Sequence, residues 1–287
     1  AMLLLQFLGE HHAHLKAWEP EDEGTRTLRY LVEQRRKLVD EQTRYANRLI
    51  SLLKEYFPQA LHWFPSASHP RALKFLKRWP SLEKAQRARS RTLREFFRST
   101  RCRRARAEQI VDEIGQATAL TDDPAVLRVY PLAARGLAVQ MEGLRGAIEE
   151  LEEEMEQVLK EHPDREVFES LPGAGAVYVP RLIAAYGTDR DRFDAYAMQC
   201  FSGIAPVTKK SGKSCWSHHR LVCPIFLKQT FHEFAKSSIP HSFWAKAYYE
   251  QQRARGAGHH EAIRSLAYKW IRIVTRCWKD RTPYSEE

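Results

Sequence analysis

The sequence holds no run of eighteen uncharged apolar residues, the length a helix needs to cross a bilayer, so no membrane-spanning helix is expected. Cysteine is scarce and odd in number. The five residues, Cys102, Cys200, Cys215, Cys223 and Cys277, are scattered rather than paired. That pattern argues against a disulfide framework and for a reduced, cytoplasmic protein. Acidic charge is also in deficit: 36 Asp and Glu stand against 46 Lys and Arg, a formal net charge of +10. An excess of this size favours a polyanionic partner, because cations that neutralise phosphates release the counterions condensed on them. The apolar opening Ala1-Met2-Leu3-Leu4-Leu5 is too short for the core of a secretory signal and has no basic leader, so no signal peptide is expected. Neither a long-period repeat nor a low-complexity tract is found.

Hydrophobic residues make up 43% and aromatics 11% of the chain, enough to build a core. Helical periodicity dominates. The expected fold is mainly α: a helical bundle with a coiled-coil segment and a C-terminal helical domain containing a helix-hairpin-helix-like motif. Four regions are expected, 1–57, 58–134, 135–162 and 166–286. Residues 1–15 read as the end of a helix and Trp18-Glu19-Pro20 as a break. From Thr25 to Glu55, Leu28, Leu31, Val32, Leu38, Val39, Tyr45, Leu49, Leu52 and Leu53 mark one amphipathic helix. Its other face carries Arg35, Arg36 and Arg48 among further cations. That face is either solvated or laid along a phosphate backbone. Pro58 and Pro65 close the helix. Residues 71–106 hold fourteen Lys and Arg against Glu83 and Glu95, interleaved with Trp79, Phe96 and Phe97. The apolar anchors argue for folded helices, and the one-sided charge for phosphate contact.

Leu137, Met141, Leu144, Ile148, Leu151, Met155 and Val158 alternate spacings of four and three, the seam of a coiled coil. This seam serves either an internal helical hairpin or a homo-oligomer through residues 137–158, and the heptad pattern leaves both open. Glutamates from Glu149 to Glu156 line its outside and should repel nucleic acid. His162-Pro163 ends it.

Four constellations in the last third could carry chemistry. In Leu171-Pro172-Gly173-Ala174-Gly175, two glycines precede an apolar helix. Backbone N–H groups at such a helix start can bind an anion, as in helix-hairpin-helix modules that hold phosphates, so Gly173 and Gly175 are candidate contacts. The alternative is a glycine turn that packs two helices. Residues 202–214 read as a loop in which Ser211 lies among Lys209, Lys210 and Lys213. A serine hydroxyl needs a base or a metal to become a good nucleophile, and lysines would hold a phosphodiester beside it. Most loop serines are turn residues. Cys215, His218, His219 and Cys223 are too cramped for a usual zinc site, and no metal-ligating residue is assigned. His219 and Arg220 are read as phosphate contacts. The aromatic stripe from Phe226 to Trp278 reads as core rather than as a stacking platform.

Together these landmarks resemble the insertion-sequence-110 family of transposases. The carriers are Leu171-Pro172-Gly173-Ala174-Gly175, Arg192-Phe193, Gly203-Ile204-Ala205-Pro206, Ser211-Gly212, Tyr248-Tyr249, Arg253-Ala254-Arg255-Gly256, His259-His260 and Pro283-Tyr284. Residues 1–57 resemble the tail of that family's RuvC-like (DEDD) domain. The resemblance implies a recombinase that cuts and rejoins DNA through two parts, an acidic tetrad binding divalent metal and a serine nucleophile, which falls on Ser211. It implies DNA as partner and, for some members, a structured guide RNA. Mg2+ is expected for the full-length parent and none for this chain. No residue here matches the acidic tetrad, since Asp22 and Glu23 stand in the wrong place. Ser217-His218-His219-Arg220 replaces the usual Ser-Lys-Arg-Gly run, which marks a divergent subgroup. The chain is therefore expected to be a fragment, a degraded gene copy or a mis-started frame, without strand transfer of its own. Two alternatives remain: a non-catalytic nucleic-acid-binding helix-hairpin-helix module and a structural coiled-coil adaptor.

Overall fold

The computed structural model describes residues 2–14 and 19–286; Ala1 and Trp18, which open the expected first region and the expected break, lie outside them. The described residues are mainly α-helical, with one two-stranded sheet. None of their helices is long and apolar enough to cross a membrane. In chain order the helices are α1 (Met2–His11), α2 (Glu23–Tyr56), α3 (Ala60–Trp63), α4 (Pro70–Arg78), α5 (Leu82–Gln86), α6 (Ser90–Ser99), α7 (Arg104–Gln116) and α8 (Pro124–Lys160). Then follow α9 (Arg165–Glu169), α10 (Gly175–Tyr186) and α11 (Ala195–Phe201), the strands β1 (Val207–Ser211) and β2 (Ser214–His218), and α12 (Ile225–Ser238), α13 (Phe243–Ala254) and α14 (His259–Asp280).

Residues 33–154 form one compact unit, and 1–32 with 155–287 the other. The divisions expected from sequence sit at helix ends, where prolines and composition change. The two compact units divide within α2 and α8, and each long helix contributes side chains to both cores.

In the unit 33–154, α2 and α8 run antiparallel. Arg35 pairs with Glu152 at 2.5 Å, and Tyr130 donates to Glu55 at 3.0 Å near the opposite end. The heptad residues Leu137, Met141 and Ile148 are buried and Leu144 and Leu151 half-buried. The seam is thus covered within the chain, the internal-hairpin alternative. Helices α3 to α7 build an aromatic core on this frame. Phe75 is fully buried, with the rings of Trp63, Phe64, Trp79, Phe96 and Phe97 between 5.2 and 6.1 Å away.

In the other unit, Asp22 caps α2: its carboxylate accepts from the Thr25 N–H at 3.0 Å and from the Thr25 hydroxyl at 2.6 Å. The first turns of α2, through Leu28 and Val32, share a core with Met155 and Leu159 of α8 and with the C-terminal helices. Trp270 and Trp278 of α14 are fully buried. Phe231 and Phe234 of α12 are equally buried, so the aromatic stripe is core, as its spacing indicated.

Candidate nucleic-acid interface

The 202–214 stretch is not a loop throughout. Val207–Ser211 and Ser214–His218 form an antiparallel hairpin with the register Val207↔His218, Thr208↔Ser217, Lys209↔Trp216, Lys210↔Cys215 and Ser211↔Ser214. Gly212 and Lys213 alone connect the two strands, and 202–206 precede them outside the sheet. Gly212 has φ +57° and Lys213 does not leave the ordinary region, the requirement of a two-residue turn with glycine first. Lys and Ser are weak strand formers, so propensity did not signal the hairpin. The glycine-closed turn did, in retrospect: Ser211-Gly212-Lys213-Ser214 sits between two five-residue segments with β-branched or aromatic members.

Side chains alternate across a strand. Lys209, Ser211, Trp216 and His218 therefore share one face of the hairpin, and Lys210, Cys215 and Ser217 the other. Cys215 and His218 point to opposite faces, which is incompatible with both ligating one ion from β2. Residues 208–219 are exposed throughout, Ser211 included. Trp216 is 45% exposed, its ring 6.3 Å from that of His218. This tryptophan escaped the sequence reading, because only strand register shows that it shares a face with Ser211.

At the hairpin base lies a cleft of about 620 Å³ lined by Ile204, Ser217, His218, His219, Glu261, Arg264 and Tyr268. The Arg264 guanidinium lies against the His219 ring, 2.6 Å from Nδ1. The base is tied to the helices: Gln199 donates to the Tyr268 carbonyl at 2.8 Å, and the Ala205 N–H donates to the Gln199 carbonyl at 2.9 Å. Ser211 stands at the tip, four residues along β1 from the partner of His218. At about 3.4 Å per residue that is roughly 13 Å. Lys209 shares the face of Ser211 and Lys213 lies in the turn beside it, Lys210 points to the opposite face, and His219 belongs to the cleft. Arg220 follows β2 half-buried, its carbonyl accepting from Lys228 at 3.3 Å.

Gly173 serves packing. It has φ +77°, and a Cβ there would meet the Ser237 carbonyl oxygen at 2.5 Å. The Ser237 hydroxyl donates to the Gly173 carbonyl at 2.8 Å. The turn is closed against the end of α12, the alternative that the glycines left open. Gly175 starts α10 and is exposed. Arg35, Arg36 and Arg48 belong to the other compact unit. Arg35 is held by Glu152 and Arg36 by Asp40, while Arg48 lies 6.0 Å from the Tyr45 ring.

The acids near the start of α2 have structural partners. Glu21 is 6% exposed. Its carboxylate accepts from the Thr188 N–H at 2.6 Å and from the Thr188 hydroxyl, and it pairs with Arg192 at 3.1 Å and Arg29 at 3.5 Å. Burial alone would raise its pKa, but the Thr188 hydrogen bonds and the two arginines outweigh it and hold the carboxyl below its ordinary 4.5. A depressed folded pKa contributes stability above the unfolded value and loses it as pH falls through the folded one. Glu21→Ala is therefore expected to cost about 3 kcal/mol at pH 7, since two arginines and an N–H lose their acceptor. The gap to wild type should close as pH drops below about 4.5. Thermal unfolding of both proteins from pH 7 to pH 3 measures it, and a gap independent of pH would contradict the assignment. Among the described residues no group of three or more His, Cys, Asp or Glu is arranged to hold a metal ion. Glu21, tied to cations, and Asp22, tied to a helix start, do not fit that task.

Two family models match this sequence. The model described as "Transposase IS116/IS110/IS902 family" matches residues 165–250, and a transposase model for the IS110 DEDD domain matches residues 1–58. The mini-circle IS117 protein of Streptomyces coelicolor is 29% identical over 283 residues, covering 96% of this chain and 68% of the relative. The insertion element IS110 43.6 kDa protein of the same species is 29% identical over 281 residues, 94% of this chain and 67% of its own length. The insertion element IS116 44.8 kDa protein of Streptomyces clavuligerus is 25% identical over 274 residues, with 64% of its length covered. The chain thus spans about two thirds of these relatives.

Proposed function

Because the chain belongs to the IS116/IS110/IS902 transposase family, with a role in DNA transposition, we propose that its β-hairpin presents Ser211 to a DNA phosphodiester as the nucleophile of strand transfer. One observation carries the reading: Ser211 is exposed at the tip of a cationic hairpin, on the face of Lys209 and Trp216. In the proposed step the Ser211 Oγ forms a bond to phosphorus while one bridging P–O bond breaks. The hydroxyl proton passes to solvent, and the departing strand oxygen is protonated or held for rejoining. The serine phosphodiester keeps the bond energy, so a second strand's hydroxyl can reverse the exchange. Lys209 on the same face and Lys213 in the turn offset the charge on the non-bridging oxygens, while Lys210 faces the other side of the hairpin. The family's divalent metal would polarise the phosphate when bound, but the described acids do not fit it, and its carboxylates are assigned to no residue of this chain. DNA is the proposed substrate. A structured guide RNA is a further proposed partner, which the family resemblance supports and no feature of the hairpin requires.

The test uses the complete reading frame that contains this sequence, end-labelled element DNA and denaturing gels. A covalent protein–DNA adduct mapping to the peptide of Ser211 is expected. An adduct on another residue, or strand transfer without any adduct, refutes the reading and leaves the chain as a non-catalytic nucleic-acid-binding module.

Trp216 gives a second handle on the same surface. An exposed indole beside a nucleophile is a stacking surface for an unpaired base, and such contacts contribute about 1–3 kcal/mol per base. Trp216→Ala should weaken single-stranded DNA binding by roughly 5- to 100-fold, and Trp216→Phe should recover most of it. Equal affinities for all three proteins in an anisotropy titration would show that the indole touches no base.

A further inference from the structure

Five of the fourteen cations in 71–106 have ion-pair partners among the described residues. Lys77 pairs with Glu142, Arg87 with Glu83, Arg91 with Glu95, Arg94 with Glu108 and Arg106 with Glu113. These arginines and lysines already have counter-charges, so their contribution to a polyanion contact is reduced. The seven residues from Arg98 to Arg104 differ. Arg98, Arg101, Arg103 and Arg104 are exposed, and no acid occurs between Glu95 and Glu108, both of which are occupied by Arg91 and Arg94.

The backbone concentrates these four charges. Helix α6 ends at Ser99 and α7 begins at Arg104, a four-residue connection. Arg101 adopts φ +57°, a conformation that costs a non-glycine residue about 1 kcal/mol. The fold holds it there: the Cys102 N–H donates to the Phe97 carbonyl at 2.9 Å, and the Arg71 guanidinium donates to the Thr100 carbonyl at 3.0 Å. Phe96 and Phe97 beneath are buried, so the turn is anchored on the aromatic core. Arg104 and Arg106 occupy the first turn of α7, which has no acidic residue and no side-chain cap. Cations at a helix start oppose the helix dipole, which favours anions there. Arg106 is offset by its pair with Glu113, so this opposition falls on Arg104.

We propose that the α6–α7 turn is a binding site for the phosphodiester backbone of a nucleic-acid duplex, contacted by Arg98, Arg101, Arg103 and Arg104. It lies outside the residues matched by either transposase model and in the compact unit that does not contain Ser211. The proposal therefore stands or falls apart from the nucleophile assignment. Arginine suits it, since the planar guanidinium meets phosphate oxygens in pairs. With contacts only to the backbone, sequence preference should be weak.

The test titrates the full chain with a 20-base-pair DNA duplex and an RNA duplex of equal length, from 50 to 300 mM salt. The variant carries Arg98→Gln, Arg101→Asn, Arg103→Gln and Arg104→Gln; asparagine tolerates the positive φ. Each phosphate contact adds about 0.9 to the slope of log affinity against log salt on DNA, so the loss of four contacts should make the variant's slope shallower by about 3.6. A control with Arg87→Gln and Arg91→Gln, whose cations are already paired, should change it by less than about 1. Circular dichroism melting keeps the comparison to folded proteins, and the double variant Arg103→Gln, Arg104→Gln offers a milder version with a slope change near 2. Loss on both duplexes supports a general backbone contact. Loss on one alone supports the site and names its ligand. An unchanged slope on both, or an equal change in the control, overturns the proposal.

Discussion

Alanine in place of Ser211 is expected to reduce strand transfer by the complete transposase at least about 10³-fold, with DNA affinity and melting temperature unchanged. The size follows from the role. A nucleophile that forms the covalent bond cannot be replaced by a group that only positions the substrate, and single losses of that kind in hydrolases reach roughly 10⁶. The unchanged stability follows from the place: Ser211 is exposed at a hairpin tip and buries nothing. Recombination frequency in cells, with DNA binding by the purified variant, measures both halves. Residual transfer within about 10-fold of wild type would remove Ser211 from the chemistry. Ser211→Cys is the informative companion, since a thiolate can attack where alanine cannot.

Trp270→Ala should produce the opposite profile, a large loss of stability. Trp270 is fully buried, its ring 4.7 Å from Trp244, 5.3 Å from Phe234 and 5.4 Å from Tyr284. Its indole N–H donates to the Ser238 hydroxyl at 2.7 Å. Removing an aromatic from such a site costs about 3–5 kcal/mol, because the neighbours cannot collapse into the space. For a unit of this size that lowers the melting temperature by roughly 10 °C. Trp270→Phe keeps most of the volume and gives up the N–H, so it should cost about 1–2 kcal/mol. Since α14 also carries Arg264 and Tyr268 of the cleft, activity should fall together with stability on warming. A Trp270→Ala protein that melts like wild type would mean that the side chain is not packed as described. The two substitutions thus separate the chemistry at the tip from the frame that holds its base.

Helical character, the long α2, the internal packing of the aromatic stripe and the family were legible in the sequence because each rests on local periodicity or on residues in fixed order. The hydrophobic period of α2 alone gave its length to within a few residues, whereas the Asp22 cap at its start emerged only from the structure. Heptad spacing identified the α8 seam but was silent on its partner. The Arg35–Glu152 and Tyr130–Glu55 contacts, each joining residues far apart in sequence, assign it to α2. Pairing across such separations leaves no periodic trace in either segment.

What the sequence determined by itself was therefore which residues could carry chemistry: a serine among lysines, and a surplus of cations without matching acids. Tertiary structure alone decided which of them stand together. Strand register joined Ser211 to Lys209 and Trp216 and set His219 apart in the cleft. Close packing on Ser237 fits Gly173 to its turn. Long-range ion pairs neutralised Arg35 and Arg94 and left Arg98 to Arg104 uncompensated. The physical reason is common to all three: composition sets charge and hydrogen-bonding capacity, whereas the availability of either depends on neighbours brought close by burial elsewhere in the chain.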